Sequence, residues 1–398
     1  MKYYIIAGEA SGDLHGSNLI KELHKLDAAA AIRCWGGDKM QAAGATLVKD
    51  YRDLAFMGFT EVIKNLPTIF RNLAFCKKDI LQYRPDVLIL IDYPGFNLRI
   101  AKWARQQGLK IVYYISPQIW AWKENRVHSI KKNVDKMLVI LPFEKDFYKK
   151  WNYDVTYVGH PLVEVIEDFK MGKADSQMLM VNGETNAAIT NEPMTIDLLT
   201  NEQFKNYKPK IIALLPGSRR QEILKKLPIM LQVAKHFLTY KFVVAKAPGL
   251  PDEFYNELLK PYSNVDAVAN KTYELLSQAH AALVTSGTAT LETALFAVPE
   301  IICYKGNSIS YEIAKRLIKI KYIGLVNLIM DKPVVKELIQ DELTEENLVA
   351  ELTLLLTDEN KKQQLAKDYA SLKTLLSAGG HASYNAAKSV YDFVKKKG

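Results

Sequence analysis

Short, fully apolar runs alternate along this chain with stretches that carry apolar residues at helical spacing. Tyr3 to Ala7 is such a run, closed by the turn Gly8-Glu9-Ala10-Ser11-Gly12-Asp13, and a helical pattern follows from Ser17 to Leu26. Asp86 to Ile91, Lys110 to Ile115 and Lys136 to Leu141 repeat the run, with a helix predicted over Leu98 to Gln107. A continuous apolar run between turn residues is how a strand covered on both faces reads. Strand, loop and helix in repetition predict the α/β fold class, a parallel sheet with helices on both faces. The series restarts with Lys210 to Leu215, a helix through Ile229 to Phe237, and runs at Tyr240 to Ala245, Ala281 to Thr285 and Glu300 to Tyr304. Two series predict two doubly wound, Rossmann-like domains, with ligands outside the carboxyl ends of the strands in a cleft between the two sheets.

The domain bounds expected are 1–165 for the first domain, rejoined by C-terminal helices over 365–398, and 209–364 for the second. Between them, 166–208 reads as a polar insertion or linker; from Asp168 to Lys208 it is rich in Asn, Thr and Met and without clear periodicity.

Composition narrows the partners. The chain has 398 residues and a formal net charge of +9, which points to an anionic partner: nucleic acid, a phosphorylated substrate or an acidic membrane surface. The lysines are scattered rather than blocked, so charge alone does not choose. Three distant cysteines, Cys34, Cys76 and Cys303, give neither a disulfide framework nor zinc spacing, and the histidines have no ligand spacing, so no metal is expected. No apolar run reaches the roughly 18 residues of a membrane span, and the start is too short for a signal peptide. A cytoplasmic protein is expected, free to touch a membrane from that side.

Five segments carry candidate chemistry. The Gly8–Asp13 turn lets backbone approach a ligand at a helix start, or is merely a tight turn. Asp92, directly after an apolar strand, is placed to accept a proton from a substrate hydroxyl, or to cap the next helix. Trp120 and Trp122 in Ser116-Pro117-Gln118-Ile119-Trp120-Ala121-Trp122 could stack on a sugar or fill core, with Arg126 near for a phosphate. Gly217 and Ser218 can bring N–H groups to a diphosphate, and Arg219 adds a permanent charge, unless it only pairs with Glu222. Ser286, Gly287 and Thr288 open a further helix that carries Glu292, a candidate partner for ribose hydroxyls; the alternative is a hydroxyl cap.

As a set, GEASGDLHG, MGFTEVI, LILIDYPGFN, YYISPQIWAWKENRV, ILPFEKDFY, VGHPL, LLPGSR, TSGTATLE and GLVNLIMDKPVVKEL resemble the lipid-A-disaccharide synthase family, in order from about residue 5 to 340. The resemblance implies a GT-B fold and an inverting, metal-independent glycosyl transfer that needs no cofactor. It implies UDP-2,3-diacylglucosamine as donor and 2,3-diacylglucosamine 1-phosphate as acceptor, and no nucleic acid as partner. Asp92 matches the essential aspartate that takes the proton of the acceptor 6-hydroxyl, and Arg219 the arginine beside the UDP phosphates. Glu292 fits the ribose carboxylate, Ser286, Gly287 and Thr288 the diphosphate turn, Asn327 a polar residue near the donor, and Ser11 with Gly12 the first turn facing the cleft. Where some members carry a second acidic residue three positions after the aspartate, this chain has Gly95, which leaves Asp92 as the sole base. Another inverting GT-B transferase, a UDP-N-acetylglucosamine 2-epimerase and a non-catalytic sensor are the competing readings; a homodimer stays open.

Acylated substrates require a route to the cytoplasmic face of the inner membrane. Between Ala55 and Leu81, Leu66, Ile69, Phe70 and Leu73 recur at helical spacing among Lys64, Arg71, Lys77 and Lys78, preceded by Met57 and Phe59. This reads as a basic amphipathic helix lying on lipid, or as a core-facing helix of the first domain.

Overall fold

The computed structural model describes residues 1–54, 66–181, 209–306 and 321–396. Met57 and Phe59 lie outside them. The chain divides into two compact units: Met1–Pro161 with the C-terminal segment from Thr374, and the described residues of 162–373. The return to the first unit thus starts at Thr374 rather than at 365.

The first unit is built on a seven-stranded parallel sheet of β1 (Lys2–Ala7), β2 (Ala31–Gly36), β3 (Thr46–Asp50), β4 (Val87–Ile91), β5 (Ile111–Tyr114), β6 (Lys136–Val139) and β7 (Thr156–Tyr157), in the order β3-β2-β1-β4-β5-β6-β7. β1 and β4 are fully apolar in sequence beyond Lys2 because both their faces are covered. The chain winds outward from β1 to β3, then crosses back to lay β4 beside β1. In that pairing Ala7 stands opposite Ile91, so the next residues, Gly8 and Asp92, leave the sheet at the same level.

β2 hides a polar network that the sequence pattern conceals. Arg33 donates twice to Asp79, at 2.9 and 2.6 Å, Tyr4 Oη donates to the same carboxylate at 2.6 Å, and Trp35 Nε1 donates to Tyr4 Oη at 2.9 Å. Asp79 belongs to the helix Leu66–Tyr83, so the network ties that helix to the sheet. A buried charge is tolerated there because it is both paired and hydrogen-bonded. Leu73, Cys76 and Ile80 form the buried face of this helix.

The helix Ala382–Lys395 completes the first unit's core. Its Ala386, Ala387, Val390 and Val394 pack in one cluster with Leu19, Ile20 and Leu23 of the helix Ala10–Leu26 and with β1. Gly159 and Gly379 make the junction possible: a Cβ on Gly379 would fall 2.3 Å from the Gly159 nitrogen.

The second unit carries a six-stranded parallel sheet of β8 (Lys210–Leu215), β9 (Tyr240–Lys246), β10 (Val265–Ala269), β11 (Ala279–Thr285), β12 (Glu300–Tyr304) and β13 (Lys336–Ile339). Its order, β10-β9-β8-β11-β12-β13, repeats the winding of the first sheet. Leu215 pairs with Val284, which brings Pro216 level with Thr285. The helix Pro161–Val181 occupies the first part of the expected polar insertion; the rest, 182–208, lies outside the described residues.

Candidate active site

In a doubly wound sheet the two strands at the winding reversal send their following turns apart, and a crevice opens at their carboxyl ends. The first unit places Gly8-Glu9 and Asp92-Tyr93 at that point. Asp92 and Tyr93 both adopt left-handed backbone, with φ of 42° and 48°. Such conformations cost about 1–3 kcal/mol each in a non-glycine residue and persist only where the surroundings impose them. Here the Asp92 N–H donates to the Tyr114 carbonyl at 3.1 Å, while the Asp92 carbonyl accepts from Tyr113 Oη at 2.5 Å and Asn97 Nδ2 at 2.8 Å. Pro94 then opens the helix Pro94–Gln106 with its φ already set. The Tyr93 ring lies on Gly8, where a Cβ would stand 2.3 Å from Tyr93 Cγ. The two turns are therefore locked together by a contact that only glycine permits.

The Asp92 carboxyl is pushed up to about 7, first by burial and then by the negative charge of Glu9; a hydrogen bond from the Tyr93 N–H works the other way. A carboxylate with that basicity is matched to taking a proton near neutral pH. Glu9 is the residue that sequence reasoning missed. It sits in the first turn, two residues past the end of β1, close to the signal that singled out Asp92. Asp92 is not an isolated charge, although Gly95 is exposed and carries no acid.

Other residues of the first unit fall differently. Ser11 is exposed on the opening turn of the helix Ala10–Leu26. Gly12 is buried, and a Cβ there would meet the Ala7 Cβ at 3.0 Å, so its lack of a side chain lets the helix pack closely on β1. Asp13 accepts from the Gly37, Met40 and Lys39 amides at 2.7, 3.1 and 3.2 Å, capping the short helix Asp38–Ala42. Trp120 is corrected, to core filling: it is buried, edge-on to Phe143 with ring centroids 5.0 Å apart. Of Trp122 only the backbone is described. Arg126 is half-buried, and its charge acts on Tyr113, the residue that holds the Asp92 carbonyl.

On the helix Leu66–Tyr83, Leu73 is 6% exposed and belongs to the core, which corrects its assignment to a lipid-facing stripe. Phe70 is 62% exposed and Ile69 half-buried; the side chain of Leu66 is not described. Phe75 and Leu81, exposed by 47% and 49%, join Phe70 at the surface, with Arg71 and Lys78 exposed beside them.

The second unit brings the other two turns to its own winding reversal. Gly217 has φ 117°, and a Cβ there would fall 3.0 Å from Glu222 Oε2 and 3.4 Å from Thr285 Cγ2, so the turn after β8 packs directly on the end of β11. Arg219 precedes the helix Arg220–Val233, and its guanidinium stands 3.4 Å from Glu222 with both side chains substantially exposed. An exposed, long ion pair is worth little and leaves the arginine available to an anion. Ser218 is exposed.

The helix Thr288–Leu295 follows Ser286 and Gly287 without a side-chain cap: Ser286 Oγ donates instead to the Ile323 carbonyl at 3.1 Å. The amides of both helix starts, after Arg219 and after Gly287, thus have no side-chain cap and suit an anion. Glu292 accepts from Tyr273 Oη at 3.1 Å, and burial raises its carboxyl above the ordinary range. Asn327 is a further correction. It is 1% exposed, with Nδ2 donating to the Val335 carbonyl at 2.8 Å and Glu337 at 2.9 Å, and Oδ1 accepting from the Val335 amide at 2.9 Å. Both of its N–H donors and one lone pair of Oδ1 are used to brace β13 against the helix Leu325–Met330. Among the described residues no group of three His, Cys, Asp or Glu is placed to hold a metal.

The solved structures that resemble this chain share its fold at low identity. A UDP-GlcNAc 2-epimerase from Neisseria meningitidis bound to UDP-GlcNAc matches with a TM-score of 0.64 and 14% identity, over 100% of both chains. The glycotransferase of kitacinnamycin matches with a TM-score of 0.61 and 13% identity, over 99% of both. Both support the two-sheet α/β fold of GT-B proteins and, at such identities, the fold alone. Sequence relatives go further. Lipid-A-disaccharide synthases of Geobacter metallireducens (37% identical, over 99% of this chain and 97% of that protein) and Coxiella burnetii strain Dugway 5J108-111 (36%, over 98% of each) align along the whole length. The lipid-A-disaccharide synthetase family profile matches residues 3–193 and 188–392, and with these turns at the ends of its two sheets the chain belongs to that family of glycosyltransferases.

Proposed function

We propose that the protein condenses UDP-2,3-diacylglucosamine with 2,3-diacylglucosamine 1-phosphate to give the β-1′,6-linked disaccharide 1-phosphate and UDP. The observation that carries this reading is the Asp92 carboxyl, fixed by its backbone bonds and raised to about 7 by burial and Glu9. In the reaction Asp92 takes the proton of the acceptor 6-hydroxyl as that oxygen attacks the anomeric carbon. The bond from carbon to the UDP oxygen breaks, its electron pair leaves with UDP, and the centre inverts. Arg219 and the uncapped amides after Arg219 and Gly287 meet the charge that grows on the diphosphate, where fixed positive groups lower the barrier. Glu292, carried by the second helix, reaches ribose hydroxyls, and Arg126 meets the acceptor phosphate.

Acyl chains come from a bilayer. Phe70, Phe75 and Leu81, flanked by Arg71 and Lys78, supply apolar area with basic charge, the combination that holds a helix in an anionic headgroup layer. No helix among the described residues is long and apolar enough to cross the membrane. The reading supported by these exposed residues is peripheral attachment from the cytoplasmic side.

The test is UDP release from the acylated UDP-sugar, with and without the acylated monosaccharide phosphate. Release that depends on the acceptor is expected. Turnover of soluble UDP-N-acetylglucosamine alone would replace this reading with an epimerase.

A further inference from the structure

One cation of the second unit is unexplained by the chemistry above. Lys226, in the helix Arg220–Val233, is 4% exposed, and its Nζ donates to Thr285 Oγ1 at the end of β11. One side chain therefore ties the helix that follows β8 to the end of β11, spanning the winding reversal of this sheet. Thr285 Cγ2 and Glu222 Oε2 are the atoms that crowd Gly217, so Lys226, Thr285, Gly217 and Glu222 surround one small region.

An ammonium has three N–H donors. Thr285 takes one, and among the described residues no second acceptor lies within hydrogen-bond distance. Burial drives the Lys226 amine towards its neutral form, and the charges of Arg219 and Lys225 act the same way against Glu222 and Cys303. Glu222 is the one carboxylate among these neighbours, and it already answers Arg219. A core position needing only volume would be filled at lower cost by leucine or methionine, because an under-bonded buried ammonium is expensive. Glu222 brings negative charge to the region, but it makes no hydrogen bond with the Lys226 ammonium, which is left with donors to give.

We propose that Lys226 is a second cation of the nucleotide diphosphate site, holding the Thr285 turn and completing its own hydrogen bonds on a phosphate oxygen. The inference rests on reading the two turns of this unit as the UDP site. It assigns Lys226 to recognition of the diphosphate rather than of the nucleoside, so a nucleoside monophosphate gains less from it.

The experiment compares Lys226→Met, Lys226→Gln and Lys226→Arg with Arg219→Ala by calorimetry with UDP and UMP, alongside thermal melts. Lys226→Met should weaken UDP binding about tenfold or more, as loss of a charge-assisted bond does, and change UMP binding far less. Lys226→Arg should keep most of the affinity. Lys226→Gln retains a donor for Thr285 without the charge, and carries the comparison should methionine fail to fold. If Arg219→Ala weakens UDP binding while Lys226→Met and Lys226→Gln bind it like the parent, Lys226 is a strut and the proposal is wrong. If Arg219→Ala also leaves UDP affinity intact, the site reading itself falls, and this inference with it.

Discussion

The two sheets share one winding and opposite chemistry. At the reversal of the first, β1 and β4 end in Glu9 and Asp92, two acids close enough that one raises the other. At the reversal of the second, β8 and β11 end in turns served by Arg219, Lys226 and uncapped helix starts. Topology supplies a crevice in both cases. Which reactant each can serve depends on the few residues just past the strand ends. A basic carboxylate suits removal of a proton, and fixed cations suit a departing diphosphate.

That division can be broken from either side. Asp92→Asn should lower turnover at least about a hundredfold while UDP affinity, measured by calorimetry, stays close to the parent value; equal turnover would remove Asp92 from the chemistry. Arg219→Ala should do the reverse and weaken UDP binding by about tenfold or more. Gly8→Ala is the structural probe of the first crevice. Its methyl must displace the Tyr93 ring, at a cost of about 1–3 kcal/mol seen in the melting temperature, with a loss of turnover and no change in UDP affinity.

Two further effects are smaller and concern pH. Asp92 must be ionised to act, so turnover should rise as pH increases through about 7. Glu9→Gln removes the neighbouring negative charge and should move that rise to lower pH; an unmoved profile would show that burial alone sets it. Stability carries its own signature. His15 and His160, both buried in the first unit, are held down to about 4 and about 3 by burial, and in His160 also by the neighbouring His15. The neutral rings are favoured on folding. Their contribution is therefore full above the unfolded value of about 6.5 and is lost as pH falls from there towards 4 and 3. Glu300 of the second unit has the opposite sense: burial raises its carboxyl, so its contribution is lost as pH rises. Melting curves of His15→Phe and Glu300→Gln should flatten the acid and alkaline sides respectively.

The central strands were legible because burial on both faces keeps their inner residues almost wholly apolar, as in β1 after Lys2, β4, β8 after Lys210 and β11 after His280. β2 was not, since Arg33 interrupts it with a charge that only Asp79, 46 residues away, makes tolerable. The edge strands β3, β10 and β13 escaped for a different reason: half-exposed, they read like the loops around them. Among site residues, Leu73 and Trp120 illustrate the limit of local chemistry. A leucine at helical spacing and a tryptophan in a loop fit either a ligand surface or a core, and the neighbours that decide lie far along the chain.

By itself the sequence determined the fold class, the family and the presence of Asp92 and Arg219 just past strand ends, because each is written in contiguous residues. Only the tertiary structure decided that Glu9 acts on Asp92, that Lys226 reaches Thr285 at the end of β11, that Asn327 braces β13 and that Gly12 lies against Ala7. Basicity and charge balance depend on distance and burial, and strand pairing sets those between residues that no local pattern connects.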